Sequence, residues 1–318
     1  MRALVTGGAG FVGRHMMTGL ARQGWDVVGV DLRESPFTAG VLVQADVREV
    51  FADRLMRDER FDLVVHCAYH VGGRAAINGE PRLLAANLEL DAQLFDWAVR
   101  TLQERVLYYS SSAAYPVEYQ EASSAFYYTS LCGGYDSERP WISLTEDLIS
   151  LQEVRQPDAR YGWAKLTGEQ LAAAATLSGL KVHVLRPFSG YGSDQDLAYP
   201  FPAILRRVVA GDLSVWGPPG QYRDWIHIDD VVGCSLAVVE QDVLGPLNVC
   251  SGTGVEMGGL ATRMAKAAGV TVREEPHYLA NQPTGVMVRV GDPTKMRTIY
   301  QPQVELADGI RRALGENK

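Results

Sequence analysis

The first third of the chain alternates between short apolar runs and stretches with helical spacing. Ala3-Leu4-Val5 is an apolar run, and Gly7, Gly8, Gly10 and Gly13 follow it. Apolar residues then recur at Phe11, Val12, Met16, Met17 and Leu20, a helical spacing that Gly24 closes. Val27-Val28-Gly29-Val30 is a second run and ends at Asp31. Val41-Leu42-Val43-Gln44-Ala45 leads to Asp46-Val47, and Phe61-Asp62-Leu63-Val64-Val65 leads to His66-Cys67-Ala68. Val106-Leu107-Tyr108-Tyr109 ends in Ser110-Ser111-Ser112, and a long helix over about residues 82 to 102 supplies the crossover before it. Runs of this length separated by helices predict an α/β fold with a parallel sheet.

Thr6-Gly7-Gly8-Ala9-Gly10-Phe11-Val12-Gly13 sharpens that to a Rossmann-type, doubly wound sheet. Gly7, Gly10 and Gly13 are spaced G-x-x-G-x-x-G between a strand and a helix. Glycine suits a tight turn, close backbone approach to a pyrophosphate and close packing of helix on strand. The helix N-terminus offers free N–H groups and a positive dipole end to phosphates. Asp31 lies 18 residues beyond Gly13 at the end of the second strand. A carboxylate there accepts from a ribose 2′-OH and repels a 2′-phosphate, which favours NAD over NADP. Arg33 stands close enough to serve a phosphate, so the preference is not absolute. In such sheets ligands sit beyond the C-terminal strand ends, where Gly7, Asp31, Asp46, Ala68 and Ser111 fall.

Composition narrows the partners. The chain of 318 residues is 47% hydrophobic and 21% charged, with a net charge of −8. That balance attracts neither nucleic acid nor an anionic membrane, and an anionic ligand would need a local arginine cluster. Cys67, Cys132, Cys234 and Cys250 form no CxxC pair, so the expected state is free thiols, with no metal site. The short apolar N-terminal stretch and the absence of a long apolar run predict a cytoplasmic protein.

Tyr161-Gly162-Trp163-Ala164-Lys165 opens a helix running through Leu166, Leu171 and Ala175. Tyr161 and Lys165 are four apart and share one helix face. Of the five lysines, only Lys165 has a tyrosine four residues before it. A tyrosine titrates near about 10, too high for a base at neutral pH, and a neighbouring ammonium lowers that value. A phenolate so tuned can take a hydroxyl proton while hydride leaves the same carbon. A serine hydroxyl from the fifth strand can hold the substrate oxygen.

Together, Gly7-x-x-Gly10-x-x-Gly13, Asp31, Ser110-Ser111-Ser112 and Tyr161-x-x-x-Lys165 resemble the extended short-chain dehydrogenase/reductases, specifically the NAD-dependent nucleotide-sugar epimerases and dehydratases. Arg186-Pro187-Phe188-Ser189-Gly190-Tyr191-Gly192 resembles that family's R-x-x-N-x-Y-G segment, and Gln221 to Val231 its Q-x-R-D-[FW] segment. Leu247-Asn248-Val249 and Arg289-Val290-Gly291-Asp292-Pro293-Thr294-Lys295 match two further motifs in the right order. The resemblance implies Tyr161 as catalytic base, Lys165 as its tuner and ribose anchor, and Ser111 or Ser112 as the substrate-oxygen donor. Alignment on Tyr115-Pro116 selects Ser111 and alignment on the first serine of the run selects Ser112; the first register, which keeps the preceding strand gap-free, is preferred and leaves Ser112 to touch substrate. It further implies NAD held by Gly7, Gly10, Phe11, Val12, Asp31, Asp46, Val47, Ala68, Tyr161, Lys165 and Pro187. Arg223 and Arg289, whose forks match phosphate oxygens, would grip the substrate's diphosphate beside Ser189. A homodimer is implied by analogy with the family.

The family's 4,6-dehydratases carry an Asp-Glu pair just after the catalytic Ser/Thr, but here Ser112-Ala113-Ala114 follow Ser111. GDP-mannose 3,5-epimerases and GDP-fucose synthases place a cysteine where Ala113 stands. What remains is redox at one carbon, which a 4-epimerase needs. A net ketoreductase or dehydrogenase on a nucleotide sugar and a non-catalytic dinucleotide sensor are the alternatives, and the intact Ser, Tyr and Lys argue against the sensor. Ser189 departs from the family's usual Asn. The Val71-Gly72-Gly73-Arg74 loop, with Pro81 and Asn87, resembles the V-G-G loop of GDP-sugar enzymes and leans toward GDP over UDP, and His70 and Arg74 fall near the nicotinamide end, where they could touch the sugar. Residues 118 to 157, with Gly133-Gly134 and Pro140, predict an elaborated loop with a short helix over about residues 144 to 151. Residues 1–186 are expected to form the NAD-binding domain and 187–318 the smaller substrate-binding domain, with chain crossings between them.

Overall fold

The computed structural model describes residues 1–35, 39–56, 59–72, 82–121, 141–153, 155–271 and 275–315. The chain begins β1 (Arg2–Thr6), α1 (Phe11–Arg22), β2 (Asp26–Asp31), β3 (Val41–Gln44), α2 (Val47–Phe51) and β4 (Leu63–His66). It continues α3 (Arg82–Arg100), β5 (Arg105–Tyr109), α4 (Ala159–Thr176), β6 (Lys181–Pro187) and β7 (Ser189–Tyr191). The rest comprises α5 (Pro200–Val209), β8 (Ser214–Trp216), β9 (Tyr222–His227), α6 (Ile228–Glu240), β10 (Gly245–Val249), β11 (Gly254–Glu256), α7 (Met257–Ala267), β12 (His277–Leu279), β13 (Val288–Arg289), α8 (Thr294–Arg297) and α9 (Leu306–Ala313).

Seven strands form one sheet in the order β10-β6-β5-β4-β1-β2-β3, all pairs parallel. Ala3, Leu4, Val5, Leu63, Val64 and Val65 are fully buried, as apolar runs must be when helices cover both faces of a parallel sheet. One face packs on α1 and α6, the other on α2, α3 and α4. Strand order reverses between β2 and β4 on either side of β1, which opens a crevice at the C-terminal ends of β1 and β4. Thr6 clasps that crevice: its hydroxyl pairs with His66 Nδ1 at 2.9 Å and accepts the Ala68 N–H at 3.2 Å.

The seventh strand, β10, comes from late in the chain and pairs with β6 in register from Gly245–His183 to Val249–Pro187. A second, smaller core gathers Tyr191, Phe201, Trp225, Leu260 and Met264 beneath a short sheet built on β9. The expected short helix in the elaborated loop is a single 3-10 turn, Glu146–Leu148. Leu144 and Glu146 are tied into the later chain, because Asn248 donates its side-chain amide to Leu144 O at 2.7 Å and its backbone N–H to Glu146 Oε1 at 2.8 Å. Cys67, Cys234 and Cys250 are free thiols. Among the described residues, no helix is long and apolar enough to cross a membrane and no cluster of side chains suits a metal. Arg74, Gly133, Gly134, Cys132 and Pro140 lie outside the described residues.

Candidate active site

The glycine turn is shaped for a dinucleotide. Gly7 has φ +69°, and a Cβ there would stand 2.6 Å from Ala68 N; one at Gly13 would fall 2.0 Å from Gly7 O. Any side chain at either position would force β1, β4 and α1 apart. At Gly10, by contrast, a Cβ would meet only Gly7 O at 3.1 Å and Arg33 Nη2 at 3.9 Å. Gly10 caps α1 without a side-chain hydrogen bond, so the first N–H groups of the helix, including those of Phe11 and Val12, are available to an anion. Asp31 arches over the turn, accepting from Ala9 N at 3.1 Å and Arg33 N at 2.9 Å. These features fit the pyrophosphate and ribose of a dinucleotide. Asp46 is differently engaged: Arg48, on the helix that Asp46 caps, grips both its oxygens and holds its carboxyl below the usual range. Val47 beside it is buried, and Pro187 ends β6.

Ser111, Tyr161 and Lys165 come together where β5 ends and α4 begins. The approach depends on Gly162, because a Cβ there would fall 2.2 Å from Ala113 O. The Asp158 N–H donates to the same carbonyl at 2.9 Å, and Val117 N donates to Gln156 O at 2.9 Å. Two segments about fifty residues apart are thus stitched side by side. Replacing Gly162 with valine is expected to force them apart at a cost of about 1–3 kcal/mol, which denaturant unfolding would read. An unchanged midpoint would mean the contact is slack. Ala159 enters the helix at φ +57°, a left-handed conformation uncommon for a non-glycine residue.

Burial pushes the Tyr161 phenol up, while Ser111 facing it and the Arg289 charge favour the ionised form. The Ser111 Oγ accepts from Ala113 N at 3.1 Å, which leaves its own proton free to donate. Ser112 is buried. Lys165 is buried too, and desolvation pushes its amine down to about 8. Its Nζ donates to Tyr109 O at 2.7 Å. It stands 5.9 Å from the centre of the Tyr161 ring but only 3.2 Å from that of Tyr69.

The sequence reading did not anticipate the polar layer beneath this trio. Asp91 on α3 accepts from Tyr108 at 2.8 Å and Tyr69 at 3.1 Å, and lies 3.4 Å from His66 Nε2. Glu169, one turn beyond Lys165, is bridged by Arg186 at 2.9 and 2.7 Å and also accepts from Ser110. The Glu169–Arg186 pair is almost wholly buried, with side chains 4% and 1% exposed. Asn87, singled out with the glycine loop, instead pins His70 through both backbone groups, at 2.8 and 3.0 Å.

The two arginines expected to hold a diphosphate are register partners on β9 and β13, yet they behave differently. Arg223 turns its guanidinium onto backbone carbonyls of Tyr222, Met287 and Val286 at 2.7–3.2 Å. Arg289 reaches toward Tyr161, bonded to Asp158 at 2.7 Å and Gln120 at 2.6 Å. Asp224, next to Arg223, binds Ser251 and the Gly252 and Gly291 N–H groups at 2.7–3.2 Å, fixing the loop that carries Arg289. Ser189 sits opposite Trp225 in the β7–β9 register.

A doubly wound sheet with a dinucleotide-shaped turn, and a serine, tyrosine and lysine gathered beyond its strand ends, defines an NAD-binding α/β protein with the makings of a hydride-transfer site. The chain belongs to the NAD dependent epimerase/dehydratase family, whose profile matches residues 3–250. It is 25% identical to a dTDP-4-dehydro-6-deoxy-D-allose reductase of a Streptomyces species, over 94% of this chain and 91% of the relative. It is also 25% identical to the UDP-glucose 4-epimerase of Mycolicibacterium smegmatis, over 99% and 97%. The UDP-glucose 4-epimerase of Thermus thermophilus in complex with NAD superposes with a TM-score of 0.80 at 22% identity, covering 99% of this chain and 98% of that one.

Proposed function

We propose that the chain is an NAD-dependent 4-epimerase of a nucleoside diphosphate sugar. The observation that carries this reading is the Ser111–Tyr161–Lys165 cluster with only Ser112, Ala113 and Ala114 after the serine, where an acid or thiol would be needed to move protons at a second carbon. NAD, when bound along the glycine turn, supplies a reversible hydride acceptor and a positive charge that favours the Tyr161 phenolate. Ser111 donates to the sugar's reacting oxygen and orients it. Tyr161 takes the proton of that hydroxyl as the carbon is oxidised to a ketone, and returns it after the keto sugar has turned its other face. Lys165 keeps a positive charge below the phenol through both halves. Arg289 holds the diphosphate, with Asp158 and Gln120 fixing its fork, and Arg223 joins by releasing its backbone carbonyls.

A net reductase is the second reading, favoured by the similarity to the dTDP-4-dehydro-6-deoxy-D-allose reductase. Incubation with GDP-, UDP-, dTDP- and CDP-sugars, with isomer analysis and NADH absorbance, separates the two. An epimerase equilibrates two isomers with no net change in NADH, whereas stoichiometric consumption of reduced cofactor would sink the epimerase reading. UDP-sugars lead the panel because the epimerase relative acts on one. GDP-sugars stay in it for the Val71-Gly72 loop. A homodimer is the assembly we propose.

The cofactor side gives its own test. Asp31→Ser removes the carboxylate proposed to accept from the ribose and leaves Arg33 in place. NAD affinity is expected to fall about tenfold or more while NADP begins to bind, since a hydrogen bond to a charged group contributes about 1.5–3 kcal/mol. Unchanged dissociation constants for both cofactors would remove Asp31 from the site.

A further inference from the structure

Lys165 presents three N–H groups from a buried site. Tyr109 O takes one at 2.7 Å. The ammonium then lies 3.2 Å from the centre of the Tyr69 ring, against 5.1 Å for Tyr108 and 5.9 Å for Tyr161. Tyr69 in turn meets Tyr161 edge to face, with ring centres 5.9 Å apart and planes at 86°. Its hydroxyl donates to Asp91, which Tyr108 also binds, so the ring is anchored from behind. One side chain thus touches both members of the tyrosine–lysine pair.

We infer that Tyr69 is a positioning residue for the reaction: its ring face carries the Lys165 charge and holds it under Tyr161. The inference rests on the reading of Tyr161 and Lys165 as the reacting pair. A cation over an aromatic face is attracted by the ring's quadrupole, most strongly where water is excluded. The other groups facing the ammonium come from every packed element: His66 and Cys67 at the end of β4, Asp91 on α3, Tyr108 on β5, and Tyr161 and Glu169 on α4. Both carboxylates have partners of their own, Asp91 the two tyrosines and Glu169 the Arg186 fork. His66 is buried, which pushes its imidazole down. Among the described residues, the Tyr69 ring is the nearest aromatic face to the charge.

The chain holds only five lysines, so Lys165 can be titrated directly by NMR of the NAD-loaded protein labelled with ¹³C at lysine Cε. Its signal is identified by its loss in Lys165→Met. In Tyr69→Leu the midpoint of Lys165 is expected to fall by about one pH unit, and the alkaline limb of the kcat profile to follow it. Tyr69→Phe, which keeps the ring, should hold the wild-type midpoint. A series at position 69 of phenylalanine with one, two and three ring fluorines keeps the shape and weakens the face. The midpoint should fall stepwise along it, which decides the matter even if the leucine variant does not fold. A flat fluorine series, or a leucine variant titrating at or above wild type, overturns the inference. The titration needs no sugar, so failure of the epimerase assay and failure of this inference are read separately.

Discussion

Tyr161→Phe is expected to lower kcat for sugar turnover by about 10²–10⁴-fold, the usual contribution of a positioned acid–base group, with NAD still bound. The ring keeps its edge-to-face contact with Tyr69, so the packing survives and only the oxygen facing Ser111 is lost. Burial already pushes that phenol up. Removing the hydroxyl should therefore leave the melting temperature near wild type. The measurement is steady-state turnover beside a thermal melt. Ser111→Ala, which removes an orienting donor but leaves the base, should cost less. Full activity in the phenylalanine variant would end the mechanism proposed above.

Glu169→Ala should be strongly destabilising, at about 3–5 kcal/mol, because it strands a buried guanidinium. Arg186 would keep Glu146 O at 2.9 Å and the Tyr115 hydroxyl at 3.3 Å but lose both carboxylate contacts. Against a typical domain stability of about 5–15 kcal/mol, that loss is severe. The double variant Glu169→Leu, Arg186→Met should recover most of it, since two apolar side chains leave no unpaired charge. Urea unfolding of the two variants beside wild type makes the comparison. A loss under about 1 kcal/mol in the single variant would mean that water reaches the pair, contrary to its burial.

How much of this was legible in the sequence differs from residue to residue. The β1–turn–α1 unit was readable because a strand buried on both faces is a continuous apolar run and a phosphate turn needs its glycines. Tyr161 and Lys165 were readable because helical spacing puts them on one face. The expected long helix over residues 82 to 102 is α3, Arg82–Arg100. Tyr69 was not legible, since it stands in irregular chain after β4, where no period says which way a ring points. Glu169 and Arg186 pair across a helix and a strand, and nothing local couples them. Arg223 was expected to grip the diphosphate with Arg289; here its fork lies on the carbonyls of Tyr222, Met287 and Val286, local partners that spacing does not reveal. Asp46 found its partner two residues away in Arg48, a local contact that the family pattern passed over.

The position of β10 has a consequence for how the chain is made. While residues 245–249 are still inside the ribosome, β6 has an open hydrogen-bonding edge carrying Val182, Val184 and Leu185, all buried once the sheet is complete. An unpaired apolar edge of that kind invites pairing with other chains. The sheet is thus closed on that side only by a strand that emerges after β7, β8 and β9 have already left the ribosome.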